Sequence, residues 1–181
     1  MRLAALIVML LAPRPASAEL PGVHLEPRNS ALRVPPACIL HIVANDMADQ
    51  IGRHRSPELE ARMRAAAKAP NLPSIHLESR TTLAEFQEAV RPQEPHATVF
   101  SNFFAVAANK IFLIEDEPYY TRLKRHIEDS LAHEYAHYLQ VTYLGYTVAN
   151  LATDDAEFMA VEYQNNYRAA YVRTGRVPAC P

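Results

Sequence analysis

Residues that could bind a metal and activate a water molecule lie close together at positions 133–137. The segment 130–140 reads S-L-A-H-E-Y-A-H-Y-L-Q and holds an H-E-x-x-H motif in His133, Glu134 and His137. On an α-helix, residues four apart lie on one face, about 40° apart around the axis and about 6 Å along it. Both imidazoles can therefore reach one zinc ion at about 2.0–2.1 Å from each ring nitrogen. Glu134 lies to the side of the pair, where it can serve as a general base without being a ligand.

The motif requires a helix, and its neighbourhood predicts one. Residues 121–143 contain no Pro or Gly, and their apolar side chains recur near helical spacing. Thr121 follows Pro118 and is an expected N-cap. The alternative interpretation is two surface histidines on an ordinary amphipathic helix. His126 lies seven residues before His133, about 10 Å along the axis, and is therefore expected to be solvated rather than a ligand.

A catalytic zinc site usually has three protein ligands and one open position for water. A second helix, expected over residues 153–173, carries four acidic candidates: Asp154, Asp155, Glu157 and Glu162. Glu157 is favoured, because the small Ala160 beside it would let the two helices approach closely. Glu162 lies about 140° further around the helix, so Glu157 and Glu162 cannot both face one metal. Alternatively, the acidic cluster only complements the dipole at the helix start.

Length and composition indicate one globular domain. The chain has 181 residues, of which 49% are hydrophobic and 21% are charged. Its formal net charge of −2 provides no basic surface for a nucleic acid.

The first 18 residues are expected to be a secretory signal peptide. They combine a positive start at Arg2, an apolar run over residues 3–12 and a small-residue cleavage site that ends at Ala18. Residues 19–181 would then form a single domain in a secreted or periplasmic location, with no later segment apolar enough to span a membrane. The alternative is an uncleaved N-terminal anchor.

The two cysteines, Cys38 and Cys180, agree with export. In an oxidising compartment such a pair is expected to form a disulfide. Two unpaired thiols are the alternative, whereas a metal role is disfavoured because neither has a Cys or His partner at ligand spacing.

The remaining segments predict a mixture of helices and strands. Candidate strands lie at 37–43, 74–77, 97–101 and 110–115, and segment 102–109 has no clear pattern. Helices are expected over 45–53, 57–69 and 82–90, the last two with N-cap signals at Ser56-Pro57 and Thr82. His41, inside the first strand candidate, is expected to be structural rather than a ligand.

The motif H-E-Y-A-H-Y-L-Q, followed by Glu157-x-x-Ala160 and then by Gln164 and Tyr167, resembles the gluzincin group of zinc metallopeptidases. It is most similar to small bacterial secreted proteins of the H-E-x-x-H … E-x-x-A type, over roughly residues 110–171. The resemblance implies that the two motif histidines and Glu157 bind one zinc ion and that Glu134 is the catalytic base. It further implies that the strand at 110–115 lines the cleft and pairs with an extended substrate.

The resemblance does not identify the group that would stabilise an oxyanion. No downstream His or Tyr matches the one used by larger relatives. Four tyrosines flank the motif helix and could donate such a hydrogen bond, although packing roles are favoured for each: Tyr119, Tyr120, Tyr143 and Tyr146.

Together these features predict an α+β fold: a small zincin-like single domain with an H-E-x-x-H active-site helix, a second ligand-bearing helix and a short antiparallel sheet. The expected function is zinc-dependent hydrolysis of peptide bonds in a peptide or protein substrate, without a nucleic-acid partner and without membrane attachment after signal cleavage. One alternative is a catalytically weak or inactive zinc-stabilised module that binds a protein partner. The other is a structural secreted domain without a metal.

Overall fold

A computed structural model describes residues 28–51 and 56–180 of the chain. This part contains seven α-helices and one three-stranded sheet, which confirms a mixed α+β fold. The expected signal peptide, residues 1–18, lies outside the described residues. No helix within the described ranges has both the length and the apolar character needed to cross a bilayer.

The helices range from 4 to 18 residues in length, and each of the three strands has three or four residues. The helices are α1 (Pro36–Ile51), α2 (Pro57–Arg64), α3 (Leu83–Val90), α4 (Glu117–Leu123), α5 (Ile127–Leu144), α6 (Val148–Leu151) and α7 (Asp154–Tyr167). The strands are β1 (Ser74–Leu77), β2 (Phe103–Ala105) and β3 (Lys110–Leu113). A π-helical turn, Arg168–Val172, continues α7, so the predicted helix over 153–173 is confirmed.

Two helices begin where their cap residues predict. Ser56 Oγ accepts a hydrogen bond from the Leu59 amide at the start of α2. Thr82 and Glu85 form the predicted capping box of α3, with each side chain accepting from the other residue's backbone amide. These boundaries depend on neighbours in sequence, which is why the pattern alone locates them.

The apolar segment 37–43 is helical, so the strand predicted there is wrong. It belongs to α1, whose buried residues recur with helical spacing: Cys38, Ile39, Leu40, Val43, Ala44, Met47 and Ala48. A short apolar run has the same composition in a buried strand and a buried helix, and only the length of the element separates the two. His41 has a structural role, as expected, with its Nε2 2.9 Å from Asn45 Nδ2 one turn later.

The sheet is mixed rather than purely antiparallel. Its order is β1-β3-β2, with the central β3 parallel to β1 and antiparallel to β2. The strands predicted at 74–77 and 110–115 are present, whereas 97–101 is not a strand and β2 forms in the unassigned segment instead. A tight turn with Asn109 at φ 48° joins β2 to β3. Pairing with β3, rather than local composition, therefore selects the residues of β2.

The helix predicted over 121–143 is split in two. Helix α4 ends at Leu123, and Lys124 adopts the left-handed conformation with φ 51°. The Arg125 amide then donates to the Tyr120 carbonyl at 2.9 Å, which closes the end of α4. The motif helix α5 begins only at Ile127, so Thr121 is not its N-cap.

The N-cap of α5 is His126, and the prediction that this side chain is solvated is wrong. Its Nδ1 accepts from the Glu128 amide at 3.2 Å, and Asp129 Oδ2 accepts from the His126 amide at 3.0 Å. His126 is only 3% exposed. Burial lowers the pKa of His126, so the ring stays neutral and keeps the lone pair that caps the helix.

The first two carboxylates of α5 are buried and paired with arginines from distant segments. Glu128 accepts from Arg33 Nη2 at 2.6 Å, and Asp129 accepts from Arg168 Nε at 2.8 Å. An unpaired buried carboxylate would cost several kcal/mol. These contacts therefore hold α5 in one position against the segment before α1 and the end of α7. Helix α5 also packs on α1 and the sheet, at the centre of the main hydrophobic core.

Cys38 and Cys180 form the predicted disulfide, with their Cα atoms 5.1 Å apart. The bond joins the start of α1 to the segment after α7 across 142 positions of sequence. A cross-link over so long a loop stabilises by up to about 5 kcal/mol in the chain-entropy model. Its presence is compatible with a secreted or periplasmic location.

Candidate metal centre

His133, His137 and Glu157 converge where α5 and α7 cross. The two histidine Nε2 atoms are 3.0 Å apart. Glu157 places one carboxylate oxygen 3.3 Å from His137 Nε2 and the other 3.5 Å from His133 Nε2. A tetrahedral zinc ion with bonds of about 2.0–2.1 Å requires ligand atoms about 3.3–3.4 Å apart. The three side chains therefore match one face of such a site, and two imidazoles with one carboxylate suit zinc chemically.

Small residues on α7 allow this convergence. Ala156 and Ala160 are fully buried against α5, so the two helix backbones approach closely around Glu157. Glu157 itself lies in the first turn of α7, with its side chain 52% exposed at the rim of the centre. The predicted role of Ala160 as a small spacer agrees with this packing.

The competing acid faces elsewhere. Glu162 Oε1 accepts from Gln50 Nε2 of α1 at 3.3 Å, on a different side of α7 from Glu157. Within the described residues, neither Glu162 nor the two aspartates at the start of α7 belongs to a cluster that could hold a metal.

Gln140 orients one of the ligands, and sequence reasoning missed it. Its Oε1 lies 2.8 Å from His137 Nδ1, and its Nε2 donates to the Ala156 carbonyl of α7 at 2.9 Å. Since Oε1 can only accept, His137 carries its proton on Nδ1 and presents the lone pair of Nε2 to the centre. Gln140 lies three residues after His137, on the same helix face, and that spacing is the signal that could have identified it.

Glu134 is buried beside the ligands, at only 5% exposure. Burial raises the pKa of its carboxyl group, and the nearby His133 and His137 offset this only in part. The Phe104 backbone amide also lies close enough to lower this pKa slightly. A cation among the ligands would favour the ionised carboxylate, which is the form that a general base needs.

Protons and a metal compete for the same atoms. Burial disfavours a charged His137, but the hydrogen bond to Glu157 and the nearby Glu134 outweigh burial and raise the pKa of His137. Hydrogen bonds to His133 and His137 hold the pKa of Glu157 far below its ordinary value. In the metal-free chain, this coupling favours an imidazolium beside a carboxylate up to a higher pH than for an ordinary histidine, because it raises the pKa of His137.

Zinc should stabilise the fold more strongly as the pH rises from 5 to 8. The proton on His137 stabilises the metal-free fold below its ordinary pKa of 6.5, and this contribution is lost as the pH rises through the raised value. Zinc must displace that proton, so its apparent affinity should weaken by about tenfold per pH unit below the raised pKa. Thermal unfolding of zinc-loaded and chelator-treated protein at pH 5, 6, 7 and 8 measures the difference. An equal zinc-induced shift in Tm at all four values would contradict this prediction.

A cavity of about 360 Å³ opens beside the three ligands. Its walls come from β2, the segment after α3, and helix α6, with the apolar residues Phe103, Phe104, Val148 and Leu151. The strand that lines the cleft is therefore β2, an edge strand. The predicted strand at 110–115 is β3, which pairs on both sides and has no edge left for a substrate.

Gln93 already covers part of the free edge of β2. Its Nε2 donates to the Phe104 carbonyl at 3.1 Å, and its Oε1 accepts from the Val106 amide at 2.6 Å. The side-chain amide thus pairs with the strand as a backbone would. A peptide could pair with the Phe104 carbonyl or the Val106 amide only after Gln93 moves.

The flanking tyrosines mostly have packing roles. The Tyr120 hydroxyl donates to the Ile114 carbonyl at 3.0 Å, and Tyr143 packs under the Arg62 guanidinium. Tyr119 differs, because it lines a second cavity next to His133 and Glu134.

Comparison with known proteins adds no relative: no family, no curated protein and no solved structure matches the chain. The assignment of a function therefore depends on the residues and geometry of the centre itself.

Proposed function

We propose that the protein is a zinc-dependent metallopeptidase of the gluzincin-like kind, with a zincin-like domain and a secreted or periplasmic location. The observation that carries the proposal is the convergence of His133, His137 and Glu157 with Glu134 buried beside them. A merely structural zinc site is normally closed by four protein ligands. Here the described residues provide three, and the cluster faces a cavity, as a catalytic site requires.

The two histidines and Glu157 would hold the ion. Zinc, when bound there, supplies a Lewis acid that polarises a carbonyl and lowers the pKa of water towards about 7. Gln140 keeps the lone pair of His137 Nε2 directed at the centre. Substitution of such an orienting partner typically costs 10–100-fold in metal affinity.

Glu134 moves the proton in the proposed reaction. Its carboxylate accepts a proton from the attacking water as the new C–O bond forms, and passes it to the leaving nitrogen as the C–N bond breaks. Atoms and charge balance with water and the peptide alone. Its burial keeps bulk water away from the carboxylate, and its place beside the two histidines on α5 keeps it close to the reacting atoms.

The free edge of β2 supports a peptide as the substrate. The Phe104 carbonyl faces this edge and accepts from Gln93 rather than from β3, so a peptide would pair with it by displacing the Gln93 side chain. Phe104 and Glu134 line the same cavity, so the strand edge and the proposed base adjoin. An extended peptide could pair with such an edge through its backbone, which gives affinity without requiring a particular sequence.

The proposal is tested by metal analysis and hydrolysis on one sample. Exported protein should carry about one zinc ion per chain and should cleave bonds in a mixture of natural peptides, read by mass spectrometry of new termini. Chelation should remove both zinc and cleavage, and added zinc should restore both.

Two results would contradict the proposal in different ways. Protein that carries and binds no divalent metal would exclude the centre itself. Protein that holds one zinc but cleaves no peptide would favour the zinc-stabilised binding module, with its partner in the same cavity.

A further inference from the structure

A second cavity, of about 380 Å³, adjoins the metal centre. It shares Asn102, His133 and Glu134 with the first cavity, so the two meet at the proposed catalytic groups. If a peptide bound with its scissile carbonyl at the centre, the residue before the scissile bond would therefore lie in one cavity and the residue after it in the other. The polar groups of the second cavity should then select what that residue carries.

Arg125 provides the permanent charge of this cavity. It lies between α4 and α5 and lines the wall together with Tyr119 and Ser130. Its guanidinium forms no ion pair with any residue in the described ranges, whereas Arg33 and Arg168 nearby in the fold are both paired with buried carboxylates. An arginine that lines a cavity without a counter-charge is available to a ligand.

Asn102 presents donors to the same space. Its Oδ1 accepts from the Ile114 amide at 2.8 Å. This contact identifies the oxygen of the side-chain amide, and it leaves both hydrogens of Nδ2 without a partner among the described residues.

Two further polar atoms of lining residues are buried and without a hydrogen-bond partner in the described chain: Ser130 Oγ and His133 Nδ1. The Ser130 hydroxyl lies beside the Tyr120 hydroxyl, whose oxygen can still accept a hydrogen bond from Ser130 while its own proton is donated to the Ile114 carbonyl. When His133 presents Nε2 to a metal, Nδ1 carries the proton and becomes a donor. Each unsatisfied buried group destabilises the fold until an acceptor reaches it.

The available groups of this cavity are mainly donors. Arg125 can only donate, as can the Nδ2 of Asn102 and a protonated Nδ1 of His133, whereas the lining hydroxyls can donate or accept: Ser101, Tyr119 and Ser130. The Glu134 carboxylate and the Gln164 side-chain carbonyl can only accept, and the Gln164 nitrogen already donates to Asp129. A planar anion with two acceptor oxygens matches such a set, and a guanidinium binds it through two parallel hydrogen bonds.

We propose that the second cavity is a carboxylate-binding subsite. It would take either the free C-terminal carboxylate of a peptide or the side chain of an Asp or Glu next to the scissile bond. This inference rests on the proposed peptidase function for the nature of its ligand, and it narrows the substrate class to peptides with an acid at that position.

Four small probes test the subsite without requiring turnover. N-acetyl-alanine carries a free C-terminal carboxylate, and N-acetyl-aspartic acid α-amide carries only a side-chain carboxylate. N-acetyl-alanine amide and N-acetyl-asparagine amide are their neutral partners. Binding is measured by NMR titration of zinc-loaded and metal-free protein, with the Arg125 Nε–H resonance as the local reporter.

At least one carboxylate probe should bind about tenfold or more tightly than its neutral partner and should shift the Arg125 signal. The probe that does so identifies the C-terminal or the side-chain source. Arg125→Gln should remove the preference. Arg122→Gln, which removes the same charge from an exposed position three residues earlier, should leave it intact.

Three results would overturn the subsite. The first is that carboxylates bind no tighter than amides, and the second is that the preference survives Arg125→Gln. The third is that the preference disappears when zinc is removed but does not depend on Arg125, which would mean that the carboxylate coordinates the metal. Failure of the peptidase proposal can be distinguished from failure of the subsite. Protein that hydrolyses no peptide but shows an Arg125-dependent preference for carboxylates would support the subsite and exclude the reaction. Hydrolysis without any carboxylate preference would support the peptidase proposal and exclude the subsite.

Discussion

Glu134→Gln should retain zinc and lose peptide hydrolysis by roughly a hundred- to ten-thousandfold, the usual contribution of a general base. Glutamine has nearly the same shape but cannot accept the proton. Its side chain is neutral, and burial raises the pKa of Glu134, so the buried position already disfavours a charge there. The variant should therefore fold at least as well as the wild type in the metal-free state.

The measurement compares kcat, zinc content and thermal unfolding for Glu134→Gln, the wild type and Glu88→Gln. Glu88 is an exposed residue of α3 whose one ion pair among the described residues is with Arg91, so its variant makes the same chemical change away from the centre. Equal zinc content together with a large loss of kcat is the expected pattern. Retention of more than about a tenth of the wild-type rate would mean that another group is the base.

Glu157→Ala should leave the centre empty at micromolar zinc, whereas Glu162→Ala should stay loaded. Glu157 contacts both histidine Nε2 atoms at 3.3 and 3.5 Å, so it is the only acid among the described residues that can complete the triad. Glu162 is bound to Gln50 on another side of α7. Loss of a direct ligand should exceed the 10–100-fold typical of an orienting residue.

Zinc affinity of the two variants is measured by competition with a chelator of known affinity, next to the wild type. Both positions are at least partly exposed, so neither substitution opens a large cavity. A Glu157→Ala protein that also fails to fold would be replaced by Glu157→Gln, which keeps the side-chain volume. Similar affinities for both variants, or a weaker Glu162→Ala, would show that the wrong carboxylate has been assigned.

Local patterns predicted the parts of the centre that depend on short separations in sequence. The H-E-x-x-H spacing placed His133 and His137 on one helix face, because a helix repeats every 3.6 residues wherever it occurs. The caps at Ser56 and Thr82 located the starts of α2 and α3, because a cap bonds to backbone groups only a few residues away in sequence. Glu157 was predicted from the small Ala160 three residues later, and the 140° angle excluded Glu162 as a second ligand; both are local properties of one helix.

Only the tertiary structure decided how distant segments meet. The start of α5 depends on Glu128 and Asp129, which pair with Arg33 and Arg168 at 95 and 39 positions away in sequence. The segment β2 is a strand because β3 pairs with it, and β3 cannot face a substrate because both of its edges are taken.

The sequence by itself therefore determined which side chains could bind a metal, and the fold decided what surrounds them. Gln140 orients His137 only because the Ala156 carbonyl of α7 holds its amide. The donors of Arg125 and Asn102 meet only because α4 turns away at Lys124 and β2 lies beside α5. Helical spacing is set by the geometry of one chain segment. Pairing, burial and the shape of a cavity are instead set by the lowest free energy of the whole chain, which no local pattern contains.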